Sequence, residues 1–162
     1  MKIRTIKQIE GTERDVLFTG GNSLRLILES DNMGFAFMKT MIPKGKPHKW
    51  HYPHHLESCF CIAGSGILTN LLNGEIHKIE VDTIYILDNN EPHTFQALEN
   101  CILISVFNPP LSGKESHDMN GHYPKSEYTK NTAKKIVQSL ECCKNNYDAV
   151  EIVESILNKN NQ

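Results

Sequence analysis

Four histidines, His48, His51, His54 and His55, crowd into a short stretch, and Glu57 follows two residues later. From Ser58 to Ala63 the chain alternates and is rich in apolar and cysteine residues, which reads as a buried strand ending in a tight turn at Gly64-Ser65-Gly66. On such a strand Glu57 shares a face with Cys59 and Cys61. A carboxylate on the inward face of an apolar strand is costly unless it is paired or bound to a cation. Imidazole and carboxylate together favour a divalent transition metal. The plainer alternative is a solvated histidine loop that binds nothing.

Positioning such groups calls for a rigid frame, and the remaining pattern supplies one. Residues 1–13 read as an extended arm with a turn at Gly11-Thr12. Ser23 to Leu28 and Gly34 to Met41 alternate, separated by a turn at Asp31-Asn32-Met33-Gly34. Ile67 to Leu72 and Glu75 to Glu80 flank Asn73-Gly74, the strongest hairpin signal in the chain. Thr83 to Leu87, His93 to Leu98 and Cys101 to Phe107 are further strand runs. About ten short strands with turns between them match an antiparallel sandwich or barrel. After Asn108-Pro109-Pro110 the pattern changes. Residues 111–124 are irregular and polar. From Lys130 the period becomes helical, with one stripe at Ala133, Ile136, Val137, Leu140 and Cys143 and a second at Ala149, Val150, Val153, Ile156 and Leu157. This predicts a barrel domain over 1–124 and a helical appendage over 125–162.

The chain has 162 residues, with 17 basic and 19 acidic side chains. Near-balanced charge argues against a nucleic-acid surface or a polybasic membrane patch. The first residues form no apolar run suited to a signal peptide, and no segment approaches a membrane span. Cys59, Cys61, Cys101, Cys142 and Cys143 lack zinc-finger spacing and read as reduced thiols. The expectation is a cytoplasmic protein with a small-molecule substrate and neither nucleic acid nor membrane as a partner.

Gly45, His51, Glu57 and Gly64 resemble the first cupin motif, with Pro53 where its second histidine would stand. Of the second motif only His93 remains. Asp82, Asp88, Asn90 and Ala97 occupy its Gly, Pro, Gly and Asn places. A narrower match is stronger: over residues 1–124 the chain resembles the ectoine synthases. The similar stretches include Thr12-Glu13-Arg14-Asp15-Val16, Asp31-Asn32-Met33-Gly34-Phe35-Ala36-Phe37, His54-His55-Leu56-Glu57 and Thr83-Ile84-Tyr85-Ile86-Leu87-Asp88. Val106-Phe107-Asn108-Pro109-Pro110-Leu111-Ser112-Gly113-Lys114-Glu115 is the most specific.

That resemblance implies a mainly β chain: a cupin-type, jelly-roll-like antiparallel β-barrel, here followed by a C-terminal α-helical hairpin. It implies a ferrous ion (Fe²⁺) held by Glu57, Tyr85 and His93, with other divalent transition metals also compatible. Tyr85 in one strand and His93 at the start of the next would reach one point from two adjacent antiparallel strands. It implies Thr40, Tyr52, His55, Glu115 and His117 as the proton-transfer set. Arg25, Met38, Gly64, Leu87 and Phe107 stand at substrate-binding positions. Arg25 suits a carboxylate, which its planar fork can hold bidentately. The implied reaction closes a ring on N-γ-acetyl-2,4-diaminobutyrate with loss of water. The resemblance also implies a homodimer, to which Phe35 and Phe37, opposite Thr40 on their strand, would contribute.

Two positions depart from the family. Gly21 stands where it usually has Trp, and Met38 where it has Asn or His. The expectation is a larger, less polar cavity and a preference for a bulkier amide, with neutral drift as the alternative. Two rivals belong to other classes. One is a metal-binding cupin module without catalysis, a sensor or binding protein. The other is a cupin isomerase or dioxygenase, against which Pro53 argues.

Overall fold

In a computed structural model describing residues 1–124, the alternating runs form ten strands: β1 (Asp15–Phe18), β2 (Gly21–Ile27), β3 (Ala36–Ile42), β4 (His48–Trp50), β5 (Leu56–Ala63), β6 (Gly66–Asn70), β7 (Ile76–Ile79), β8 (Ile84–Leu87), β9 (His93–Ala97) and β10 (Cys101–Asn108). Six build one sheet in the order β1-β2-β3-β10-β5-β8, and four build a second in the order β4-β9-β6-β7. All the pairings are antiparallel. The expected Asn73-Gly74 hairpin joins β6 to β7. The mainly β, antiparallel architecture is therefore as read from the sequence. The helical hairpin placed over 125–162 lies outside the described residues.

Alternation decides what each strand buries. Ala36, Met38, Thr40 and Ile42 of β3 face inward, as do Glu57, Cys59 and Cys61 of β5 and Cys101, Leu103, Ser105 and Phe107 of β10. Leu68, Phe95 and Ala97 of the four-stranded sheet join them in one core. Cys59, Cys61 and Cys101 are buried free thiols. Among the described residues, no helix is long and apolar enough to cross a membrane.

Two local expectations are corrected. The opening arm is not wholly extended: Ile6–Ile9 forms a single helical turn, α1, which buries Ile9. Its cause is the Thr5-x-x-Gln8 capping box, in which the Thr5 N–H donates to Gln8 Oε1 at 2.8 Å. Tyr85 and His93 do not lie on paired strands. β8 pairs with β5, whereas β9 pairs with β4 and β6, so the two residues belong to different sheets.

After β10 the chain runs without regular elements to Pro124 and forms a strap. The Glu29 N–H donates to the Leu111 carbonyl at 2.8 Å, and the His51 N–H to the Gly121 carbonyl at 3.0 Å. The outer face of β5 and β8 carries an apolar patch. Phe60 and Ile84 sit side by side in register, with Ile62 and Ile86 near them, and all four are exposed.

Candidate active site

A cavity of about 20 Å³ lies among the inward side chains of β3, β5, β8 and β10 and the strap. Of the residues singled out in the sequence, Met38, Thr40, Tyr52, Glu57, Tyr85, Phe107 and His117 line it. Cross-strand register brings four polar side chains into one chain along its wall. Ser105 is paired with Cys59 on one side and Met38 on the other. The Cys59 thiol donates to Glu57 Oε1 at 3.3 Å and lies 3.1 Å from Ser105 Oγ, which is 3.0 Å from Thr40 Oγ1. Each of these groups carries one hydrogen. With the thiol donating to Glu57, the Ser105 hydroxyl donates to sulfur and Thr40 to Ser105, so every dipole points toward the carboxylate. Burial still pushes the Glu57 carboxyl up to about 8, against the pull of the Cys59 hydrogen bond.

His93 is fully buried, and its Nδ1–H donates to the Glu91 carbonyl at 3.1 Å. That bond fixes the tautomer and leaves Nε2 with its lone pair. Nε2 of His93 and Oε2 of Glu57 are both buried and make no hydrogen bond within the protein. Two orphaned acceptors in one core are costly as they stand and are what a divalent cation satisfies. No three His, Cys, Asp or Glu side chains among the described residues converge on a point. The Tyr85 phenol, the third residue of the expected set, lies beside the Cys59 thiol. Burial, then the Cys59 and Glu57 charges, push the Tyr85 hydroxyl well above its usual range. Glu57, Tyr85 and His93 thus suit a divalent ion by the chemistry of their donors.

The strap supplies His117, whose Nε2 is 3.1 Å from the Tyr52 hydroxyl. Burial, then the Arg25 charge, lower its pKa to about 4, so the ring is neutral. Burial, then the Glu57 charge, hold Tyr52 well above the phenol range, so the phenol keeps its proton. His117 packs on Tyr123 at 4.4 Å between ring centroids and stacks on Trp50 at 6.1 Å. Arg25, 1 % exposed, anchors the strap: its Nη2 donates to the Glu115 carbonyl at 2.7 Å, and Nη1 lies 3.6 Å from Glu115 Oε2. Burial works to raise the Glu115 pKa, but the amides of Ser112 and Gly113 outweigh it and hold it low.

Other expected residues sit off the cavity wall. His55 is pinned beneath the strap, with Nδ1 2.9 Å from the Pro109 carbonyl. Leu87 is buried opposite Glu57 in the register of β5 and β8. Gly64 makes the β5–β6 turn with φ +80°, pressed against the Asn100 backbone, where no side chain fits.

Met38 fills its place with 1 % exposure. Phe18 of β1, paired across the hairpin with Gly21, reaches into the cavity wall itself. Phe18, Trp50, Ser105 and Tyr123 line the site without having been singled out. Ser105 was within reach: it is the one polar residue on the inward alternation Cys101, Leu103, Ser105, Phe107.

Antiparallel sheets closing over inward Glu and His donors define the cupin class. A cupin 2 conserved barrel domain protein from Salinispora arenicola superposes with a TM-score of 0.54 over 66% of this chain and 87% of that one, at 17% identity, a likeness of fold alone. The sequence profile of ectoine synthase matches residues 1–127. The L-ectoine synthase of Mycobacteroides abscessus is 45% identical over 124 residues, 76% of this chain and 95% of the relative, and that of Nocardia farcinica 43% identical with the same coverage. The crystal structure of ectoine synthase from P. lautus superposes with a TM-score of 0.67 at 34% identity, covering 70% of this chain and 81% of that one. The chain belongs to the ectoine synthase family. It is accordingly an enzyme, a carbon–oxygen lyase of the hydro-lyase kind.

Proposed function

We propose that the protein closes N-γ-acetyl-2,4-diaminobutyrate into its cyclic amidine with loss of one water. The observation that carries this reading is the Tyr52–His117 pair at 3.1 Å, set in the same cavity as the orphaned Glu57 carboxylate oxygen. The substrate's free amine attacks its own acetamide carbonyl, so one group must accept the amine proton and another must protonate the departing oxygen. Neutral His117, 3.1 Å from the Tyr52 hydroxyl, is the group that takes up the proton. Tyr52 and Thr40 present hydroxyls that donate, Thr40 being held by Ser105. Arg25, paired with Glu115 and off the cavity wall, serves by holding the strap that carries His117.

Glu57, Tyr85 and His93 would hold a ferrous ion, which supplies Lewis-acid polarisation of the amide carbonyl. The cavity admits about one water-sized group. Substrate binding therefore requires side chains of the lining to shift. The test is anaerobic assay of the purified protein with ferrous ion and the acetylated diaminobutyrate, read by mass. Loss of one water per turnover supports the reading, and no reaction with a fully metallated protein overturns it.

The exposed Phe60, Ile62, Ile84 and Ile86 support a homodimer formed through the outer face of the six-stranded sheet. Contiguous apolar patches of this kind are rare on monomers.

A further inference from the structure

We propose that Phe18 is a specificity-determining residue: its ring, seated over the bare backbone of Gly21, is the wall that limits the size of the substrate the cavity takes. This deepens the proposed ring-closing function and rests on it.

Three observations converge on Phe18. β1 is an edge strand, and Phe18 is its last residue and its one contribution to the cavity lining. Its ring meets Trp50 edge-on at 5.7 Å and His117 at 5.5 Å, so it buttresses the ring that pairs with Tyr52. Its partner across the hairpin has no side chain. A Cβ at Gly21 would stand 3.2 Å from Phe18 Cζ and would collide with the Met41 carbonyl oxygen. An aromatic ring lying across a glycine on the neighbouring strand covers backbone that the glycine leaves bare. Here that cover also faces the cavity, where one methylene admitted or refused is worth roughly tenfold or more in relative rate.

The experiment compares the metallated wild-type protein with Phe18→Ala and Phe18→Leu on diaminobutyrates carrying N-γ-acetyl, propionyl and butyryl groups. Wild type turns over the acetyl compound best. In Phe18→Ala its rate falls about ten- to a hundredfold, while the butyryl-to-acetyl ratio of kcat/KM rises about tenfold or more; Phe18→Leu falls between. A ratio unchanged in both folded variants overturns the proposal, because a merely structural ring would lower all three substrates alike. Should wild type act on none of the three compounds, the ring-closing function is what fails. The wall is then judged by binding of the same three compounds to metallated wild type and Phe18→Ala: a butyryl-to-acetyl affinity ratio that rises in the variant supports it, and an unchanged ratio overturns it.

Discussion

The Tyr52 hydroxyl and His117 Nε2, 3.1 Å apart, join the loop between β4 and β5 to the strap that follows β10. With the His117 pKa lowered from 6.5 to about 4, the unfolded chain takes up the proton first as pH falls. The stability this group contributes is complete above pH 6.5 and is lost as pH drops toward 4. Glu57, raised to about 8, works the other way over the same range, so the His117 part is read by difference. The thermal midpoint of metal-free His117→Gln, measured against that of wild type, is expected to gain as pH falls from 6.5 toward 4, while the contributions of Glu57, His48, His51 and His93 stay common to both proteins. Equal slopes in the two proteins would remove His117 as the cause.

Glu57→Ala and His93→Ala are each expected to reduce ferrous occupancy to about a tenth or less, because each deletes a buried oxygen or nitrogen that has no hydrogen-bond partner within the protein. Ser58→Ala, on the opposite face of β5, should bind fully. Anaerobic metal analysis with circular dichroism as the folding control checks both. Full occupancy in either ligand variant would place the ion elsewhere.

Glu115→Ala leaves the Arg25 guanidinium buried without its carboxylate. Breaking a buried pair from one side costs about 3–5 kcal/mol. Denaturant unfolding should show a loss of that order, and limited proteolysis should begin within residues 111–124. Arg25→Met with Glu115→Gln, removing both charges, should recover much of the stability but not the activity.

The frame was legible where side chains alternate. β3, β5 and β10 keep a strict inward and outward rhythm, and their inward residues could be named from period alone. Sheet membership was not. Tyr85 and His93 are eight positions apart and look like neighbours across a loop, but β8 turns to β5 and β9 to β4 and β6. Strand partners are chosen by long-range packing, which local pattern does not encode. Phe18 was missed for a similar reason. Asp15-Val16-Leu17-Phe18 is too short to show a period, and the significance of Gly21 lies in what sits across from it. Arg25 could be assigned to a carboxylate, but not to the one it meets, ninety residues on.

Ile86→Lys places a charge in the apolar outer face of β8, where Ile86 is exposed and touches no part of the cavity. Light scattering at micromolar concentration is expected to give a dimer for wild type and a monomer for the variant. A monomeric wild type would contradict the dimer.

Gly21→Trp is expected to destabilise the β1–β2 hairpin by about 1–3 kcal/mol, the usual cost of overpacking. The added side chain would have to displace both the Met41 carbonyl and the Phe18 ring. The shift in the denaturant midpoint measures it, and an unchanged midpoint would show that the hairpin has slack.

The pairing of Phe18 with Gly21 also ties two sides of one strand together. A Cβ at position 21 would stand 3.2 Å from the Phe18 ring and would press on the Met41 carbonyl oxygen of β3. A side chain there is therefore felt by both neighbours of β2 at once: the ring has to give by a few tenths of an ångström, and the backbone of β3 has to move further.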